Sequence, residues 1–250
     1  MQRPLKETAD IINNISSSFC AAKWYNATIW LGNGRTASCH LPPAHSIPLQ
    51  EVIENPSALH NTKEKKQRRQ EMLTGIQCEE CAYCWTVENK RDNDVFSDRI
   101  YKSHIYKEKD IKLLKEIGLQ DVDPKTLEIS FDNLCNLQCS YCNAEFSSTW
   151  HKDIKDNGEY KGMLTSGGHT YRQDGSLAMP FGNKNEGNIY VKRFFDWFPE
   201  IKDGLYEFRV SGGEPSRSPS FWHLLDICDN ENFDFAVNSN LIMEESRLQR

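Results

Sequence analysis

The sequence has no apolar run that approaches the length of a membrane span, and its opening stretch MQRPLKETADIINN lacks the basic and apolar regions of a secretory signal. No membrane partner is expected, and the cytoplasm is the expected compartment. A net positive charge is also lacking. The net charge is −6 and the pI is near 5.7, so no global basic field draws the chain to nucleic acid. The one basic run, KEKKQRRQE, carries glutamates near both ends and no aromatic residue, which makes it a solvated helix face rather than a nucleic-acid patch. Disulfides are not expected either. In a reducing compartment, nine clustered cysteines read first as metal or cluster ligands. At 250 residues the chain suits one to two domains and can bury a real core.

What is present centres on residues 127–142, LEISFDNLCNLQCSYC. Leu127, Ile129 and Phe131 alternate with Glu128, Ser130 and Asp132, the period of a strand. The strand runs into a loop where Cys135, Cys139 and Cys142 form CxxxCxxC. A structural zinc site closes itself with four protein ligands. Three thiolates on a cubane iron-sulfur cluster instead leave one iron free for a further ligand.

Earlier in the chain, residues 27–31 and 35–39 read as a hairpin about the turn Gly32-Asn33-Gly34, which returns Cys39 toward Cys20. Trp24 and Trp30 are expected to pack beside that pair as core. Residues 57–74 read as a polar helix. Cys78, Cys81 and Cys84 follow as CxxCxxC, with Trp85 and Glu88 just beyond. A zinc ribbon needs two separated CxxC pairs, and a ferredoxin run continues to a fourth cysteine followed by proline; neither pattern is met. Cys20, Cys39 and two of the three later cysteines can still complete a four-thiolate site. A helical segment over 95–119 ends at Asp121-Val122-Asp123-Pro124, where the domain boundary is placed, giving domains 1–122 and 123–250.

After Cys142, NAEFSSTWHKDIK reads as a helix. Residues 157–187, rich in Gly, Ser, Asn and Asp, read as an insertion or substrate lid, within which His169 has no partner motif. Residues 189–198 read as a helix with an aromatic face, 206–210 as a strand, 221–228 as a helix and 233–237 as a third strand. The second strand ends in Gly212-Gly213-Glu214-Pro215 and the third in Asn238-Ser239-Asn240. Glycines at a strand's end let backbone approach a ligand, and Glu214 offers an acceptor for an ammonium group. Cys228, alone on the apolar side of its helix, reads as a core thiol.

Taken together, Cys135-Asn-Leu-Gln-Cys139-Ser-Tyr-Cys142 after a strand, then Gly212-Gly213-Glu214-Pro215, then Asn238-Ser239-Asn240, resemble the radical S-adenosylmethionine superfamily. The N-terminal cysteines, with Gly34 to Cys39 as GxxxxC, resemble its twitch or SPASM-type auxiliary-cluster module. Ser147-Ser148-Thr149-Trp150 resembles the twitch-containing radical enzymes of bacteria and their phages. The resemblance implies an α/β fold: a partial (β/α) barrel, with its first three βα units present, preceded by a small cysteine-rich α+β module containing the hairpin.

It also implies roles. Cys135, Cys139 and Cys142 would bind a [4Fe-4S] cluster whose fourth iron chelates S-adenosylmethionine. Tyr141 would lie near the adenine, Gly212, Gly213 and Glu214 would receive the methionyl ammonium, and Ser239 or Asn240 would contact polar groups of the cofactor. Cys20, Cys39, Cys81 and Cys84 would hold one auxiliary [4Fe-4S] cluster, with Cys78 as the alternative to Cys81. The activity implied is reductive cleavage of S-adenosylmethionine to a 5′-deoxyadenosyl radical that abstracts hydrogen from a substrate, a peptide being the candidate class, with flavodoxin or ferredoxin as electron donor.

The pattern departs from the family in two ways. Only three strands follow Thr126, where the family core has about six βα units, so a truncated chain or fragment is expected. The auxiliary module also precedes the radical domain rather than following it. The alternatives carried forward are a cluster-binding remnant without turnover and a zinc-binding interaction protein, which would need a fourth protein ligand for the CxxxCxxC thiols.

Overall fold

A computed structural model describes residues 3–90, 95–158, 187–228 and 232–248. His169 and all but the ends of the insertion expected at 157–187 lie outside the described residues. The helices are α1 (Leu5–Asn13), α2 (Ala22–Tyr25), α3 (Leu49–Glu54), α4 (Lys63–Leu73), α5 (Ala82–Glu88), α6 (Asp98–His104), α7 (Glu108–Ile117), α8 (Ser148–Asn157), α9 (Ile189–Ile201), α10 (Pro219–Ile227) and α11 (Glu245–Leu248). The strands are β1 (Asn26–Trp30), β2 (Arg35–Ala37), β3 (His45–Ser46), β4 (Thr126–Ser130), β5 (Glu207–Val210) and β6 (Asp234–Val237). They form one sheet in the order β3-β2-β1-β4-β5-β6, so the architecture is α/β. β5 and β6 run parallel, with Glu207 opposite Asp234 and Val210 opposite Val237. Among the described residues no helix is long and apolar enough to cross a membrane.

The chain divides into two compact units, residues 1–28 with 36–127, and residues 29–35 with 128–250. The expected boundary near 122 and 123 thus differs from the observed division in two places. The division falls inside β4, and the tip of the hairpin belongs with the second unit.

The first unit is built on Trp24, which is fully buried, stacks on Phe19 at 4.8 Å and donates its indole N–H to the carbonyl of Gly118 at 2.9 Å. Two expectations change here. The basic run forms α4, started by the Thr62 hydroxyl accepting the Lys65 N–H at 3.1 Å, but it is not solvated all round. Lys65, Arg69 and Met72 are buried, and their i, i+4, i+7 spacing puts them on one stripe. Neutral acceptors receive the two cations inside: Lys65 Nζ donates to Thr36 Oγ1 at 2.8 Å and to His60 Nδ1 at 3.3 Å, and Arg69 donates to the Lys23 carbonyl at 3.0 Å and to Asn61 Oδ1 at 2.8 Å. Burial, then the charges of Arg69 and Lys23, push the Lys65 ammonium well below its usual range. The single helix expected over 95–119 is two, α6 and α7, with buried Tyr106 between them.

The second unit packs around aromatic rings. Phe194 and Phe198 of α9 and Phe208 of β5 are fully buried, and Phe194 lies 5.7 Å from Phe131, 5.4 Å from Phe198 and 6.5 Å from Phe208. Residues 194 and 198 are one turn apart, so one helix face supplies both rings. Burying each ring stabilises the fold by roughly 1.5–3 kcal/mol.

Phe194→Ala is expected to destabilise the protein by about 3–5 kcal/mol through lost burial and the cavity left behind. Phe235→Ala, at a ring 39% exposed, should cost about 1 kcal/mol. Urea unfolding of both variants checks this, and equal costs would show that the ring cluster is not the core of its unit.

Candidate functional site: two groups of cysteines

In the second unit, the loop after β4 is fixed by its own polar side chains before it reaches the cysteines. Asp132 Oδ1 accepts the Leu134 N–H at 2.9 Å, an Asx turn, and its other oxygen accepts the Ser218 hydroxyl. The start of α8 then holds the cysteine loop from the far side. Ser148 Oγ accepts the Cys135 N–H at 3.0 Å, and Ser147 and Thr149 donate to the carbonyl of Leu137 at 2.8 and 2.9 Å. Trp150 donates its indole N–H to the carbonyl of Cys139 at 3.0 Å. Each residue of the Ser-Ser-Thr-Trp run therefore binds backbone of the CxxxCxxC loop and leaves the thiols unengaged by it.

The turn after β5 packs against the same loop. Gly212 and Gly213 have φ of 74° and 56°, in the left-handed region. A Cβ on Gly212 would stand 2.0 Å from Ser130 Oγ, and one on Gly213 would stand 2.6 Å from the Leu134 carbonyl oxygen. Only glycine permits this approach. Glu214 follows, 1% exposed, and donates its N–H to the same Leu134 oxygen at 2.7 Å. Its carboxylate accepts the Ser216 N–H at 3.1 Å, the Ser239 hydroxyl at 2.7 Å and the Asn240 N–H at 2.7 Å. Burial acts to raise its pKa, but the donors from Asn240, Ser239 and Ser216 outweigh burial and hold the carboxyl below its usual value. Asn240 in turn donates to Asn136 Oδ1, inside the cysteine loop, at 2.9 Å.

These segments line one cleft of about 870 Å³, within the range of small-molecule sites. Cys135, Cys139, Cys142, Tyr141, Gly212, Gly213, Glu214, Ser239 and Asn240 all border it. The three thiols are half-buried and unbridged, and burial, then Cys135 and Cys139, push the Cys142 thiol up. Tyr141 is 90% exposed at the rim. Trp30 is the residue that sequence reasoning misplaced: it borders this cleft and does not line the Cys20 and Cys39 cavity. The signal was the strand period. Ala27, Ile29 and Leu31 are buried, so Trp30 faces the other way.

The first unit holds the other group. Cys20 precedes α2, Cys39 follows β2, Cys81 ends a short 3₁₀ turn, and Cys84 lies one turn further along α5. All four line one cavity together with Lys23 and Arg99. The space they enclose is about 20 Å³, on the order of one water. Burial, then Cys81 and Cys39, push the Cys20 thiol up to about 12, against the pull of Arg99 and Lys23. Cys78 does not line the cavity. Its sulfur points to the Arg68 carbonyl at 3.5 Å, and burial, then the hydrogen bond with Glu71, push it up to about 12. Trp85 and Glu88 frame the site: the indole donates to the Cys78 carbonyl at 2.8 Å, and Glu88 pairs both oxygens with Arg99 at 2.9 Å. Cys228 is half-buried at the end of α10 and belongs to neither group.

Among the described residues no three His, Cys, Asp or Glu side chains are drawn together as around one metal ion. Four thiolates on a single zinc, at about 2.3 Å from it, would lie roughly 3.8 Å from one another. A cubane cluster takes each thiolate on a different iron and spaces its ligands more widely.

Gly213→Ala should destabilise the protein by about 1–3 kcal/mol, because both the backbone conformation and the Leu134 carbonyl oppose the methyl group. Gly118→Ala, at φ of 60° and ψ of −112° with nothing within 4 Å, carries only the backbone part and should cost about 1–2 kcal/mol. Chemical denaturation of the two variants measures the difference. A folded-state pKa held below 4.5 means that the Glu214 carboxylate stabilises the fold above that pH and loses its contribution as pH falls through the lowered value. Thermal melts from pH 7 downward should show this loss in the wild type and not in Glu214→Gln.

No protein-family model, no curated protein and no solved structure matches this chain.

Proposed function

We propose that this chain is a radical S-adenosylmethionine enzyme, with a [4Fe-4S] cluster on Cys135, Cys139 and Cys142 and an auxiliary [4Fe-4S] cluster on Cys20, Cys39, Cys81 and Cys84. The observation that carries it is the meeting of the three CxxxCxxC thiols with Gly212, Gly213 and Glu214 on one cleft of ligand size. The donor set fits the group. Three thiols leave one metal coordination position for a ligand, and the glycine turn offers backbone to it without a side chain in the way. When bound, the cluster supplies one electron to the sulfonium of S-adenosylmethionine, which yields methionine and a 5′-deoxyadenosyl radical able to take hydrogen from a substrate.

The remaining tasks belong to the protein. Three donors occupy three of about four acceptor sites on the Glu214 carboxylate, leaving about one for the methionyl ammonium. Because those donors also hold the group ionised, it meets a cation as a carboxylate. Asn240 and Ser239, tied to Glu214, present further polar groups to the cofactor, and Tyr141 and Trp30 offer aromatic faces to a planar base. Ser147, Ser148, Thr149 and Trp150 hold the cysteine loop by its backbone and orient the thiols. A peptide is the proposed substrate class, and flavodoxin or ferredoxin the proposed electron donor.

Anaerobic reconstitution of the full chain should give about eight irons with matching sulfide, and about four in the triple variant Cys135→Ala, Cys139→Ala, Cys142→Ala. With S-adenosylmethionine and dithionite the wild type should release 5′-deoxyadenosine and the triple variant none. A full cluster complement without 5′-deoxyadenosine would mark a remnant that binds clusters without turnover. One zinc per chain and no sulfide would mark a zinc-binding protein.

A further inference from the structure

The cavity of the first unit is lined by cations as well as thiols. Lys23 is 5% exposed and Arg99 is 3% exposed, and both border the space between Cys20, Cys39, Cys81 and Cys84. Asp98 and Lys102 add one charge of each sign to the same wall. Four thiolates around an iron-sulfur group leave the assembly anionic, and reduction adds a further negative charge. A buried anion of this kind is costly without a counter-charge close by.

The two cations are not equivalent. Arg99 is fully engaged: both Glu88 oxygens at 2.9 Å, the Phe19 carbonyl at 2.7 Å and Asn13 Oδ1 at 2.9 Å take its guanidinium, and Glu88 offsets its charge. Lys23 forms an ion pair with Glu80, which also faces Arg68 at 3.6 Å, itself bound by both oxygens of Glu71 at 2.9 and 3.1 Å. The Lys23 ammonium thus has one carboxylate partner beside the thiols that share its cavity. Cys81 and Cys20 are electrostatic neighbours of the Lys23 ammonium, as are Cys78 and Lys65. Its backbone is fixed as well, since Arg69 donates to the Lys23 carbonyl at 3.0 Å.

We propose that Lys23 is the counter-charge of the four-thiol site, a positioning residue that sets the reduction potential of the iron-sulfur group those thiols hold. This rests on the assignment of that site as an iron-sulfur one. The sign follows from charge. Removing a nearby positive charge disfavours the more negative reduced state and lowers the potential; removing the nearby negative charge of Glu80 does the opposite.

The test uses the full chain carrying Cys135→Ala, Cys139→Ala and Cys142→Ala, so that only the N-terminal group is read. The protein is reconstituted anaerobically with ferrous iron and sulfide, both are counted, and the potential is titrated by electron paramagnetic resonance. Lys23→Met should lower the reduced-to-oxidised ratio at fixed potential by on the order of tenfold, about 59 mV for one electron. Lys23→Arg should restore most of it, and Glu80→Gln should shift the ratio the other way. A Lys23→Met cluster at the unaltered potential overturns the proposal. Should Lys23→Met fail to fold, Glu80→Gln decides: a raised potential supports the proposal and an unchanged one overturns it. Zinc without sulfide in the parent chain overturns the assignment itself and the proposal with it, an outcome distinct from a formed cluster whose potential does not move.

Discussion

A single buried carboxylate organises the second unit. Glu214 accepts from Ser216, Ser239 and Asn240, while its own N–H is given to Leu134 in the cysteine loop. The ends of β5 and β6 are thereby fastened to each other and to the loop after β4. A buried charge left without donors would be strongly destabilising, so the three segments must meet in this arrangement for the carboxylate to stay ionised. The left-handed Gly212 and Gly213 give the chain the reach that makes this possible, and Asn240 extends the network to Asn136. The cleft is a consequence of this fastening, since its walls are the segments that Glu214 joins.

The first unit solves a different problem, the burial of positive charge. Lys65 and Arg69 find neutral acceptors, Arg99 finds a carboxylate, and Lys23 shares one. His60 serves this arrangement by donating Nε2–H to the Trp24 carbonyl at 2.6 Å and accepting from Lys65 at Nδ1. Burial, then Lys65 and Arg69, hold its pKa well below the usual value, so the ring stays neutral and keeps an acceptor for Lys65. The thiol cavity borders this arrangement, lined by Lys23, Arg99 and Lys102 together with Asp98.

Much of the local structure was legible in the sequence. The alternation of Leu127, Ile129 and Phe131 marked β4, the Gly32-Asn33-Gly34 turn marked the hairpin, and Ile189 onward marked α9. The positions where the reading fell short share a cause. α4 was read as solvated because Lys65 and Arg69 are charged, yet Thr36, Ala37, His60 and Asn61 receive them inside; these acceptors come from parts of the chain that no local pattern links to the helix. Trp30 was grouped with Cys20 and Cys39 by proximity in sequence, whereas strand alternation turns it away from its neighbours. The choice among Cys78, Cys81 and Cys84 was open because a CxxCxxC run reaches a cavity with only some of its thiols, and which ones depends on how α5 is packed.

The sequence by itself determined the groups available: three thiols in a CxxxCxxC spacing, a second group of five cysteines, and a glycine turn ending in a carboxylate. Residue type and short-range spacing carry that information because the donor atoms of a side chain and the freedom of a backbone are local properties. Only the tertiary structure decided that Gly212, Gly213, Glu214, Ser239 and Asn240 share a cleft with Cys135, Cys139 and Cys142, that Cys78 turns away from the other N-terminal thiols, and that Lys23 faces them. Those facts depend on hydrogen bonds and burial between segments far apart in the chain, whose geometry exists only once the sheet and its helices have packed.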